Sequence, residues 1–201
     1  MTELTLADRR DAYARVFGKW PAGVPVVVRE RDRDVLYATW VLGNDYRVRS
    51  GFYGAYPHGY LARVAALFPD IEPSPSRVLH AFSGSLPPGP YTRLDCRQSA
   101  DIDGSVFDLG ASIDVGPFDL VYADPPYTAA DAVHYGTPMI NRGKATRAIA
   151  RVVRDGGFLV WLDTVWPMHR KDEWITVGRI SLWRSTNHRA RFVSIFQRVR
   201  R

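Results

Sequence analysis

The feature that most constrains this chain is an apolar run that stops abruptly. Phe118-Asp119-Leu120-Val121-Tyr122-Ala123 leads straight into Asp124-Pro125-Pro126-Tyr127. Val121 and Tyr122 favour strands. Pro125 and Pro126 lack backbone donors and cannot continue one, and a residue before proline is pushed into extended geometry. The segment therefore reads as a buried strand ending in a stiff lip that carries one carboxylate and one flat ring. In open α/β sheets, ligands bind outside the carboxyl ends of the strands, where this lip is expected to lie. An acid beside an aromatic face suits a planar substrate with an amino group. The acid accepts hydrogen bonds from the amine, and stacking on the ring is worth roughly 1–3 kcal/mol per base. A plain proline turn with a solvated acid has the same sequence, so the lip takes its meaning from its surroundings.

Those surroundings alternate between helical and strand patterns. A helix is expected over residues 5–17, and strands over 24–28 and 35–41 around the charged turn Glu30-Arg31-Asp32-Arg33. Leu61, Val64, Ala65, Leu67 and Phe68 recur at helical spacing. Val78, Leu79, Ala81 and Phe82 form an apolar strand, and Tyr91-Thr92-Arg93-Leu94-Asp95 a short one ending in an acid. After the lip, a helix over 141–153 would bury Ala145, Ala148, Ile149, Val152 and Val153. The turn Asp155-Gly156-Gly157 would end it before the strand Phe158-Leu159-Val160-Trp161-Leu162. Two alternating runs, Ile175 to Leu182 and Phe192 to Phe196, read as a terminal hairpin. The expected fold class is α/β, with a mostly parallel sheet and an antiparallel C-terminal hairpin. Residues 1–50 are expected as an N-terminal appendage and 51–201 as the main domain.

Composition narrows the function classes. At 201 residues the chain allows one domain with a small appendage. No apolar run approaches the roughly eighteen residues of a membrane span, and the N-terminus lacks an apolar signal core, so a cytoplasmic protein is expected. Cys96 is the single cysteine, and the five histidines show no metal-ligand spacing, so no metal is expected. The net charge is +6, and from Gly178 onward there are seven arginines and no acid. Such a basic region suits a polyanion. Arg184, Ser185, Asn187, His188 and Arg189 in the polar hairpin loop are the candidates for nucleic-acid contact; a solvated hairpin tip is the alternative.

The lip resembles the catalytic motif of the S-adenosylmethionine-dependent amino-methyltransferases, which methylate exocyclic amines of adenine or cytosine in DNA. The resemblance makes Asp124, Pro125, Pro126 and Tyr127 the catalytic candidates. His80-Ala81-Phe82-Ser83-Gly84 is similar to that family's glycine-bearing cofactor motif, and Tyr53, Gly54 and Tyr56 occupy the place of its upstream cofactor-contacting turn. The resemblance covers roughly residues 50–165. It implies a Rossmann-like methyltransferase sheet, S-adenosyl-L-methionine as cofactor, and DNA as partner, with adenine favoured by the leading Asp. Asp95 then stands where a ribose-binding acid is expected, and Asp101 and Ile102 where the cofactor's adenine would rest.

Three departures stand out. Leu86 replaces the usual last glycine, and His80 replaces the usual acid of the strand. Only Leu86-Pro87-Pro88-Gly89-Pro90 separates Ser85 from the next strand, whereas parallel neighbours ordinarily need a crossover of about a dozen residues. Either the crossover is made without a helix, or the two strands are not regular neighbours. RNA or a protein amide is the alternative methyl acceptor, and a non-catalytic nucleic-acid-binding module is the alternative class. Little sequence is left for a target-reading domain, which points to a very short site, a homodimer or a specificity partner.

Overall fold

The computed structural model describes residues 3–43, 56–97, 99–185 and 190–200. Helix α1 (Leu6–Phe17) begins at a capping box: the Thr5 hydroxyl accepts from the Asp8 N–H, and the Asp8 carboxylate accepts from the Thr5 N–H. Strands β1 (Val26–Glu30) and β2 (Arg33–Leu42) form an antiparallel hairpin. It starts two residues later than the sequence pattern suggested, because Pro25 interrupts the run. Helix α2 (Tyr60–Leu67) precedes β3 (Val78–Ala81), β4 (Thr92–Asp95), β5 (Ile102–Asp103) and β6 (Phe118–Ala123). Helices α3 (Ala129–His134) and α4 (Arg142–Ala150) lead to β7 (Val153–Asp163), β8 (Trp174–Arg184) and β9 (Ala190–Arg198).

All nine strands share one sheet, in the order β1-β2-β8-β9-β7-β6-β3-β4-β5. Strands β7, β6, β3, β4 and β5 are parallel neighbours; β9 runs antiparallel to both β7 and β8. The chain winds outward from β3 through β4 to β5 on one side, and from β6 to β7 on the other. The gap between the carboxyl ends of β3 and β6 is therefore the topological switch point, where ligands bind in open α/β sheets.

The crossover from β3 to β4 contains no helix, yet the two strands are parallel neighbours, with Leu79 opposite Thr92 and Ala81 opposite Leu94. Specific bonds fasten the proline-rich loop instead. The Tyr91 hydroxyl donates to the Pro87 carbonyl at 2.7 Å, and Arg93 Nη1 donates to the Leu86 carbonyl at 3.1 Å. The short crossover is thus the first of the two alternatives left open by the sequence.

The helix expected over 141–153 ends at Ala150, and β7 already begins at Val153. The pairing of β6 with β7 slips between Phe118↔Val153 and Leu120↔Phe158. The two glycines absorb that bulge. Gly156 has φ of 74°, and a Cβ on Gly157 would lie 3.1 Å from the Asp119 carbonyl.

Successive residues of β6 and β7 point to opposite faces. Leu120, Tyr122, Phe158 and Val160 join Tyr13, Trp40, Tyr60 and Leu67 under α1 and α2. Val121, Leu159 and Trp161 join Leu79, Ala145, Ala148 and Ile149 under α4. The N-terminal helix and strand pair extend this same sheet, since β2 pairs in parallel with β8, and Tyr13 stacks on Trp40 at 5.7 Å. Among the described residues, no helix is long and apolar enough to cross a membrane.

Candidate active site

Asp124 follows the last residue of β6, and Pro125 behind it is buried. Like Tyr122 two positions earlier, Asp124 faces α2. Its electrostatic neighbours are Tyr56, Tyr60, Tyr127, Arg191 and Asp163. Burial among these groups pushes its carboxyl up to about 7; the Tyr127 hydrogen bond and the Arg191 charge oppose that rise, and Asp163 adds to it. The residue as a whole is half-buried.

This shift has a consequence for stability. The folded-state value lies above the unfolded one, so the neutral acid's stabilisation is complete below about pH 4 and is lost as pH rises through about 7. Asp124→Asn keeps an acceptor for Tyr127 without the buried charge. The variant is expected to be more stable than the native protein at pH 8 by up to a few kcal/mol, roughly 5–10 °C in Tm. The difference should vanish at pH 4, and thermal unfolding at the two pH values checks it. An equal offset at both would rule out the buried-charge account.

Tyr127 is held at three points. Its hydroxyl donates to Asp124 Oδ1, and its ring lies 4.8 Å under the Arg191 guanidinium. Its carbonyl accepts from Arg142 Nη2 at 3.0 Å. The ring expected to lie open for stacking is thus covered on one side by a cation. Such a contact is worth about 0.5–1 kcal/mol at an exposed site and more when desolvated.

The Arg142 anchor is itself fixed. Arg142 binds Asp163 in a fork, Nε to Oδ2 at 2.7 Å and Nη2 to Oδ1 at 3.0 Å. Asp163, at the end of β7, is fully buried and also accepts from Trp161 Nε1 at 3.1 Å and from the Thr164 N–H at 2.7 Å. With its oxygens satisfied, this buried carboxylate holds Arg142, and Arg142 holds the lip.

The residues expected to meet a cofactor begin at the turn after β3. Phe82 and Gly84 take left-handed φ of 58° and 53°. The Asp95 carboxylate, at the end of β4, accepts from the Gly84 N–H at 2.9 Å and from the Arg97 N–H at 2.8 Å. It therefore stands directly against the glycine turn. The Ser83 hydroxyl is buried without a protein partner, and Ala81 is buried in the core. A cavity of about 500 Å³ lies between residues 56–62 and the loop from Ser85 to Pro87, with Tyr56 on its wall.

Three candidates on this side are otherwise engaged. Asp101 is clamped on Arg93, accepting from its N–H at 2.9 Å and from Nη2 at 2.8 Å. Ile102 is partly buried against the core. The His80 side chain is enclosed: it stacks on Tyr122 at 4.4 Å, meets the edge of Tyr91, and lies 3.2 Å from the Tyr56 hydroxyl through Nδ1. Burial pushes its imidazole down to about 3, so it is neutral and supports Tyr56. Tyr53 and Gly54 lie outside the described residues.

Of the nucleic-acid candidates, Arg184 ends β8 and the Ser185 N–H donates to the Leu42 carbonyl at 3.0 Å. Asn187, His188 and Arg189 lie outside the described residues. The basic tail is not one surface. Arg179 is bound to Glu30 and Tyr37, Arg200 pairs with Glu3, and Arg198 is buried against Trp174 with bonds to the Ala150 and Glu173 carbonyls. Arg184 and Arg191 are the described members of the tail beside the lip.

Sequence reasoning missed Tyr60, Arg142, Asp163 and Arg191. Asp163 carried the same signal as Asp124, an acid directly after a buried apolar run. Nothing local marked the other three. Among the described residues no group of three or more His, Cys, Asp or Glu could hold a metal ion. No family model matches the chain, and no curated protein matches it either. Function must therefore be argued from the site.

Proposed function

We propose that this chain is an S-adenosylmethionine-dependent methyltransferase acting on the exocyclic amine of a nucleic-acid base, with adenine in DNA the favoured target. One observation carries the proposal. The Asp124-Pro125-Pro126-Tyr127 lip and the Phe82-Ser83-Gly84 turn follow β6 and β3, so they flank the switch point together. A chain whose last two strands pair antiparallel within the sheet, as β8 and β9 do, is common among methyltransferases and adds support.

The residues present fit the cofactor. Ser83 offers a buried hydroxyl without a partner, Gly84 brings backbone close to the crevice, and Asp95 sets a carboxylate at the neighbouring strand end, as ribose-binding acids are set in dinucleotide folds. When bound, the cofactor supplies a methyl group on a positively charged sulfur.

The chain's own residues then have defined tasks. Asp124 and the Pro125 carbonyl accept hydrogen bonds from the target amine and aim its lone pair at the methyl carbon. With the cofactor bound, its sulfur would take the electron pair of the broken carbon–sulfur bond as the amine nitrogen gains the methyl group. The surplus amine proton leaves by way of Asp124 to solvent. Tyr127, donating to Asp124, holds the carboxylate in orientation, and Arg142 holds Tyr127. No covalent protein intermediate is required, so acceleration comes from positioning and electrostatic placement. A base within a duplex must first be swung out, at a cost of a few kcal/mol.

Calorimetry with S-adenosylmethionine tests the cofactor half of the proposal. Binding is expected at micromolar concentration, weakened at least about tenfold by Asp95→Ala, which removes a carboxylate acceptor. No heat at millimolar cofactor would favour a binding module without catalysis.

A further inference from the structure

A cation covers one side of the lip's ring. Arg191 lies on β9 opposite Leu182 of β8, on the sheet face that carries Tyr60 and Tyr122. Its guanidinium sits 4.8 Å from the centre of the Tyr127 ring, and among the described residues it has no carboxylate in ion-pair contact. Tyr127 is partly buried against the core beneath α2, and Arg191 covers one side of its ring. Arg184 lies two positions beyond Leu182 on the same strand and face, close enough that the Arg191 charge, after burial, pushes its guanidinium down from the usual value.

A phosphodiester is a better partner for a guanidinium than a tyrosine ring, because fork-shaped charge-assisted hydrogen bonds are stronger than a cation–π contact. We propose that Arg191, with Arg184 beside it, binds a backbone phosphate of the target strand, and that its departure from Tyr127 uncovers the ring for the base. The arrangement restricts the substrate to a nucleotide carried in a polynucleotide, and excludes free bases, nucleosides and protein amides. The proposal rests on the methyl-transfer reading for what happens to the base; the phosphate contact stands apart from it.

The test uses the full chain and a labelled single-stranded oligonucleotide, once with phosphodiester and once with neutral methylphosphonate linkages. By fluorescence anisotropy, Arg191→Ala should weaken phosphodiester binding about tenfold and lower the salt slope by about one. The variant should leave the weak methylphosphonate binding unchanged, and Arg191→Lys, which keeps the charge and loses the fork, should fall between. With tritiated cofactor, Arg191→Ala should cut transfer to the phosphodiester strand about tenfold and transfer to the neutral strand clearly less, since only the first loses a phosphate contact. Equal losses on both strands would show that Arg191 merely supports the lip and would overturn the proposal, as would unchanged phosphodiester binding. Phosphate binding that depends on Arg191, without any methyl transfer by the native chain, would leave this site standing and remove the methyltransferase reading.

Discussion

Asp124→Ala is expected to lower methyl transfer by at least about 10²–10³-fold, the scale lost when a placed electrostatic group is removed from a reacting centre. The expectation follows from how Asp124 is held. Its carboxylate is the acceptor at the carboxyl end of β6, oriented by the Tyr127 hydroxyl and backed by the buried Pro125. Alanine removes the acceptor without touching Ser83, Gly84 or Asp95. Cofactor affinity should therefore change by less than about threefold, a loss smaller than that of one hydrogen bond. A kinetic assay with calorimetry on the same preparation separates the two. Comparable losses in transfer and in cofactor binding would instead make Asp124 part of the cofactor site.

The second large effect is expected at Asp163. Asp163→Ala strands the Arg142 guanidinium, whose side chain is 19 % exposed, opposite an apolar methyl group. Breaking a buried pair from one side costs about 3–5 kcal/mol, and here the Trp161 and Thr164 N–H groups lose their acceptor as well. Thermal unfolding should fall by about 10 °C or more for a chain of this size. The double variant Arg142→Leu/Asp163→Leu strands no charge and should recover part of that loss. It should not recover transfer, because the Tyr127 carbonyl has lost its 3.0 Å anchor. Recovery of both stability and transfer in the double variant would show that the pair is structural only.

The sequence exposed the parts of this site that rest on backbone chemistry. Two prolines after an apolar run end a strand whatever surrounds them, so β6 and its lip were legible. Pro87 and Pro88 left no room for a crossover helix, and none forms. Other features depend on which side chains meet across the fold. Arg142 and Asp163 are 21 residues apart, and Arg191 reaches Tyr127 from a strand near the end of the chain. Local pattern carries no trace of either contact. Asp101 shows how a partner on a neighbouring segment bears on a candidate. Its place in an Asp/Gly turn fitted a cofactor contact, but Arg93, eight residues away, takes both of its oxygens. His80 likewise looked like a substituted cofactor residue, and it turned out to be a neutral spacer between tyrosines. The glycines at 156 and 157, read as a helix stop, serve a bulge in β7.

The most direct measurement is mass spectrometry of nucleosides released from host DNA and RNA after expression of the native chain and of Asp124→Ala. A methylated exocyclic amine, N6-methyladenine in DNA first of all, should appear with the native chain and be missing with the variant. Nucleosides identical between the native chain, the variant and an empty host would contradict methyl transfer to nucleic acid by this protein.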